Sequence, residues 1–172
     1  MLRALVLASC LSPVISAAQA MGSTPLLLQV GGDYLSDDLR KALETNWGYH
    51  AGLATLLAEN GLMGVPSLDL DVRYAPDGDG SLMSFEACYA ERSLISGQYW
   101  FGLGIGSNFV RLKLDQTPER AESADRRWEI GGKAMIGYLM TDRVFFEATY
   151  HYVGDSLGLD ASSVSASLGY WF

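Results

Sequence analysis

Beyond its first twenty residues, this chain has no apolar run approaching the roughly 18 residues that a membrane-spanning helix requires. Entry of that part into a bilayer can therefore use only strands. Histidine is confined to His50 and His151, and with scattered carboxylates around them the ligand spacing of a zinc site is missing, so no metal is expected. Basic residues are also short: 12 Lys and Arg stand against 20 Asp and Glu, a formal net charge of -8, which argues against a nucleic-acid partner. Cysteine occurs only as Cys10 and Cys88.

What is present begins with Arg3, an apolar stretch over residues 4–15 broken by Cys10 and Pro13, and then Ala18-Gln19-Ala20. This pattern predicts a secretory signal peptide over residues 1–20, cut before Met21. A buried helix is the competing reading, but Pro13 would break it. Leu7-Ala8-Ser9-Cys10 resembles a lipoprotein box, yet the apolar stretch before Cys10 is too short for a working signal. Cleavage would remove Cys10 and leave Cys88 without an intramolecular partner, and a buried thiol is the expectation there.

The rest of the chain reads in twos. Val164, Ala166, Leu168, Tyr170 and Phe172 alternate with Ser163, Ser165, Ser167 and Gly169, which places the two sets on opposite faces of a strand. The same alternation marks segments near residues 26–34, 47–57, 68–74, 83–89, 99–114, 128–138 and 144–152, eight in all. In the 99–114 segment the apolar parity flips from Tyr99, Phe101, Leu103 and Ile105 to Val110, Leu112 and Leu114, which predicts a bulge between Gly106 and Asn108.

The apolar stripes together hold about forty positions without an Asp, Glu, Lys, Arg or His, as a lipid-facing surface demands, because a lysine or arginine at the bilayer midplane of a barrel costs about 2–4 kcal/mol. A soluble lipocalin-like barrel alternates as well, with its apolar face inward. The signal peptide, the aromatic residues at strand ends and the terminal Phe172 favour the membrane version. The expected fold is an all-β, eight-stranded antiparallel transmembrane barrel over residues 21–172. With both ends in the periplasm, the outward loops are 36–45, 76–81, 115–126 and 154–161; the connection 58–66 is long for a periplasmic turn.

The stretches "YWFGLGIGSNF", "GGKAMIGYLMTDRVFFEATYHYVGD" and "SVSASLGYWF" resemble the opacity-protein and OmpA-like family of small outer-membrane barrels, with OmpW as a neighbour. The resemblance covers the second half of the chain well and the first half by pattern only. It implies residence in the bacterial outer membrane among its lipids. It also implies recognition by the barrel-assembly machinery through the last strand, where Leu168, Tyr170 and Phe172 match the terminal signal.

Small barrels of this shape include enzymes that modify lipid A. Those with a deacylase triad carry a His and a Ser two residues apart on one strand, whereas here Val153 stands where the nucleophile is needed after His151. The final strand offers Ser163 and Ser165 without a carboxylate, so no catalytic residue is assigned and no cofactor is expected. The inward charges read instead as a plug: Asp69, Asp71, Glu86, Glu129 and Glu147 against Arg73, Lys133 and Arg143, with His151 hydrogen-bonded among them. Gly102, Gly104 and Gly106 fall in a row on one inner face and are the candidate lining of a narrow channel; the alternative is that the inner glycines make room for Trp100, Phe145 and Trp171. The expected role is structural or one of surface interaction, through an extracellular partner reached by the loops, of which 115–126 is the leading contact.

Overall fold

The computed structural model describes residues 25–57, 61–77, 80–114 and 123–172. The expected signal peptide and lipoprotein box lie outside these residues, as do positions 115–122 of the expected surface loop. In chain order the elements are β1 (Leu26–Leu35), α1 (Asp37–Leu43), β2 (Trp47–Leu56), β3 (Val65–Asp77), β4 (Gly80–Ser96), β5 (Tyr99–Leu114), β6 (Ser123–Leu139), β7 (Val144–Tyr152), the short β8 (Asp155–Ser156) and β9 (Leu159–Asp160), and β10 (Ser163–Trp171). Eight strands close an antiparallel barrel in the order β1-β10-β7-β6-β5-β4-β3-β2, and β8 pairs with β9.

The seam between β1 and β10 pairs Leu27 with Trp171 at one rim and Leu35 with Ser163 at the other. Phe172 donates its backbone N–H to the Leu26 carbonyl at 3.0 Å, so the last residue still belongs to the ladder. Traced along paired residues, the wall runs from Leu35 through Ser163, His151, Lys133, Gly104, Ala90, Ser67 and Leu56 and regains β1 at Pro25, ten residues from its start. Closure with such an offset tilts the strands by about 40° and leaves an interior that side chains fill. The rim holding Leu26 and Trp171 is called the terminal end below, and the opposite rim the loop end.

The predicted bulge at Gly106–Asn108 is absent. β5 pairs without interruption with β6 from Tyr99 to Leu114, and the register shift of the β4–β5 hairpin falls at Leu94/Ser96 instead. Parity along β5 therefore never changes: Trp100, Gly102, Asn108, Val110, Leu112 and Leu114 all face inward and are buried. What changes is the surroundings. β3 to β6 are 13, 17, 16 and 17 residues long against 9 or 10 for the other barrel strands. Toward the loop end the inner face of β5 becomes apolar and its outer face charged.

That apolar inner face is covered by α1, in the connection 36–45. The Ser36 side chain accepts a hydrogen bond from Leu39 N at 3.3 Å, Asp37 and Asp38 occupy the first turn, and Arg40 and Lys41 the last. Cap and charges both favour a helix start at this point. Leu39 and Leu43, one turn apart on the same face, are fully buried against Leu35, Ala75, Leu82, Val110, Leu112, Leu114, Val153 and Ala161. At the terminal end a second apolar cluster joins Leu27, Ala54, Trp100 and Phe145, the two rings meeting edge to face at 5.4 Å. A Cβ on Gly137 would lie 2.1 Å from the Trp100 ring and one on Gly169 2.0 Å from that of Phe145, so only glycine in the wall leaves space for these rings.

The long turn before β3 also has a physical account. Residues 61–64 fold over the outer face of β4, where the Glu91 carboxylate accepts the N–H groups of Leu62 and Met63 at 3.1 and 2.6 Å and the Tyr89 hydroxyl at 2.7 Å. An outward carboxylate at this rim is tolerated because the turn supplies its hydrogen bonds.

Truncation of the plug tests this packing. Leu43→Ala is expected to lower the unfolding free energy by about 2–5 kcal/mol, whereas Lys41→Ala on the exposed side of α1 changes it by no more than about 0.5 kcal/mol. Urea unfolding of the protein in phosphatidylcholine vesicles measures both.

Candidate functional site

Between the two apolar seals the lumen is largely polar, with a small apolar cluster of Cys88, Ala90 and Met135. Inward-facing positions on successive strands bring carboxylates and cations from across the barrel into contact. Lys133 on β6 places its ammonium 2.8 Å from Asp69 and 2.6 Å from Asp71, both on β3, with all three side chains almost fully buried. Asp69 is held in addition by both terminal nitrogens of Arg92 on β4, at 2.9 and 3.2 Å, and by the Ser67 hydroxyl at 2.7 Å. Arg92 reaches on to Glu147 on β7 at 3.6 Å, and Glu147 accepts from Trp100 Nε1 at 3.3 Å and Thr149 Oγ1 at 3.2 Å. Asp71 closes the other end through His50 Nε2 at 2.9 Å and Gln29 Nε2 at 3.5 Å. A chain of ion pairs and hydrogen bonds thus ties β1, β2, β3, β6, β4 and β7 together through the lumen.

Of the residues expected in this network, Asp69, Asp71 and Lys133 meet directly, and Glu147 joins them through Arg92. Arg73 is buried nearer the loop end, where it donates to Ser163 at 2.6 Å and Ser84 at 2.8 Å rather than to a carboxylate. Glu129 is inward but half-exposed at the loop end, paired with Arg127 at 3.0 Å and apart from the central group. Arg143 does not enter the lumen. It lies exposed in the turn before β7, with its guanidinium on the Tyr170 hydroxyl at 3.2 Å, because the turn sits beyond the last inward position of the strand.

Arg92 is the member that alternation alone overlooked. It lies beyond the 83–89 segment that the alternation marks; Ser84, Glu86, Cys88, Ala90 and Arg92 continue one buried face, with Glu91 interrupting the apolar stripe on the other.

Cys88 is a free, buried lumen thiol. The inner sides of Gly102 and Gly104 are occupied: an added Cβ would meet Met135 at 2.8 Å and Ala90, Lys133 and Cys88 at 3.1–3.2 Å, respectively. At Gly106 a Cβ would lie 2.2 Å from the Ala87 carbonyl, so close approach of β4 requires glycine there. Leu168, Tyr170 and Phe172 point outward and are exposed along the closing strand, with Tyr170 and Phe172 ring to ring at 4.9 Å.

The expectation that no serine, base and carboxylate are aligned is overturned in geometry. His151 on β7 makes a 3.0 Å contact from Nδ1 to Glu86 on β4 and a 3.1 Å contact from Nε2 to Ser165 on β10. The carboxylate comes from a strand across the barrel, which a search along neighbouring strands does not reach. All three groups are completely buried, between the apolar seal under α1 and the central ion network.

At the level of sequence, no protein-family model and no curated protein matches the chain. Among solved structures the barrel is similar to Neisserial surface protein A, with 17% identity over 86% of this chain and 95% of that one, TM-score 0.55. It is similar also to the N-terminal barrel domain of Pseudomonas aeruginosa OprF, at 15% identity over 86% and 97%, TM-score 0.57. Ail, the attachment invasion locus protein of Yersinia pestis, aligns at 11% identity over 87% and 99%, TM-score 0.58. The fold is that of the small eight-stranded outer-membrane barrels, consistent with the OmpA-like and opacity-type group.

Lys133→Met leaves Asp69 and Asp71 buried side by side with one cation fewer, and is expected to destabilise the barrel by about 3–5 kcal/mol. Arg143→Gln, at its exposed turn, is expected to shift stability by less than about 0.5 kcal/mol. The unfolding midpoints of the two variants in the same vesicles separate a lumen cation from a rim cation.

Proposed function

We propose that this protein is an outer-membrane barrel with a sealed lumen, which contributes to envelope integrity or surface contact through its loop end rather than passing solute. The observation that carries this reading is the stacking of the lumen: an apolar seal at each end, with a hydrogen-bonded ion network between them. Ions entering such an interior would have to displace paired charges and two apolar layers. The structural neighbours include a surface protein and an attachment protein, and the latter is also known in complex with the heparin analogue sucrose octasulfate; both support a role at the loop end.

The Glu86–His151–Ser165 chain favours a second reading, hydrolysis of an envelope lipid. Burial of all three groups weighs for a structural relay instead, in which His151 joins β4, β7 and β10.

Planar bilayers separate these readings. The wild-type protein is expected to show no conductance steps, and removal of both seals by Leu39→Ser with Leu43→Ser and Trp100→Ala is expected to create them; steady conductance by the wild type would reject the sealed lumen. Cells producing the wild type and His151→Ala are expected to yield the same lipid A mass spectrum, and loss of a modified species in the variant would move the protein to the enzymes.

A further inference from the structure

The outer face of the described strands bears only four charged side chains: Glu91 at the terminal end, already capped, and Arg111, Lys113 and Arg126 at the loop end. Arg111 and Arg126 stand directly opposite each other on β5 and β6. Like charges in that position repel, and among the described residues neither arginine has an ion-pair or hydrogen-bond partner. Among the described residues of the hairpin the acidic side chains lie on the other face: Asp125 and Glu129 turn inward and sandwich Arg127 at 3.5 and 3.0 Å. Among the described residues, parity thus places a neutralised cluster on the inner side and the arginine pair on the outer side.

The height of this pair identifies what it faces. The preceding outward pair on the ladder is Phe109 with Trp128, in ring contact at 5.2 Å, and Trp128 is 64% exposed. Tyr34, Trp47, Tyr74 and Tyr152 lie outward at the loop ends of their own strands and continue this belt around the barrel. Aromatic belts mark the boundary of the hydrocarbon. Two residues further along strands tilted by about 40°, the arginines stand about 5 Å above that boundary, at headgroup level.

We propose that Arg111 and Arg126 form a binding site for the phosphate groups of an outer-leaflet glycolipid, with its acyl chains resting on Phe109 and Trp128. A doubly charged phosphate relieves the cross-strand repulsion and accepts the planar N–H forks of both guanidinium groups. The inference rests on the membrane-barrel reading, and the experiment reports the two separately.

Full-length protein is reconstituted in vesicles of phosphatidylcholine alone, or with bisphosphorylated or dephosphorylated lipid A added. Faster gel migration of unheated sample in phosphatidylcholine reports the barrel itself; its absence would reject the membrane reading and the site with it. With the barrel established, bisphosphorylated lipid A is expected to raise the heat-unfolding temperature of the wild type, and dephosphorylated lipid A is not. Arg111→Gln with Arg126→Gln is expected to lose that rise and to retain on the order of tenfold less lipid A on extraction. In phosphatidylcholine alone the same double variant is expected to be as stable as the wild type or more so, because the repulsion is gone, so misfolding is not its explanation. Equal retention by both proteins, equal effects of the two lipid A forms, or stabilisation of the wild type by soluble heparin but not by lipid A would each overturn the proposal, the last in favour of a sulfated glycan.

Discussion

A backbone in hydrocarbon cannot leave its N–H and C=O groups unpaired, and the β1–β10 seam is where this chain meets that demand. Closure fixes strand number and offset together, and these fix a lumen only as wide as interlocking side chains. The inward residues must then fill that width and satisfy one another, since there is no bulk water to do it. Charged groups in the wall therefore come as a connected set, with Lys133 between two aspartates and Arg92 between an aspartate and a glutamate.

The network is not a source of stability by itself, because ions taken from water lose hydration that their partners only repay. Its consequence is specificity. A one-residue slip of β6 would turn Lys133 out to the lipid, so the contact of β3 with β6 across the lumen discriminates against such slipped barrels. The apolar rings at either end do the complementary work of excluding water from the ions, which strengthens each pairing. Trp100 belongs to both, with its ring against Phe145 and its N–H on Glu147.

The outer surface obeys a different solvent at each height. Within the belt it is apolar; beyond it, on the protruding β5–β6 hairpin, the apolar residues of β5 turn inward beneath α1 and Arg111 and Arg126 turn outward. The same strand thus presents opposite polarity on one face along its length without any break in its ladder. A parity flip in hydrophobicity here records the strand leaving the membrane, and its resemblance to a bulge follows from assuming a single environment for the whole strand.

The eight strands, their inward and outward faces and the polar character of the lumen were legible in the chain, because alternation with period two is a local property and Ser163 to Phe172 display it directly. Helix α1 was not read, although Ser36 with Asp37 and Asp38 offered a start signal, because seven residues carry little periodicity. Arg92 was missed for one outward glutamate whose hydrogen bonds come from a turn thirty residues away. Sequence by itself determined which residues of a strand share a face, and which side of the wall that face takes wherever the strand keeps one environment; for Val110, Leu112 and Leu114 on β5 the structure decided it. Which residues face each other across the lumen, including Glu86 with His151 and Lys133 with Asp71, was decided only by closure, since period two encodes a face and carries no information about the strand opposite.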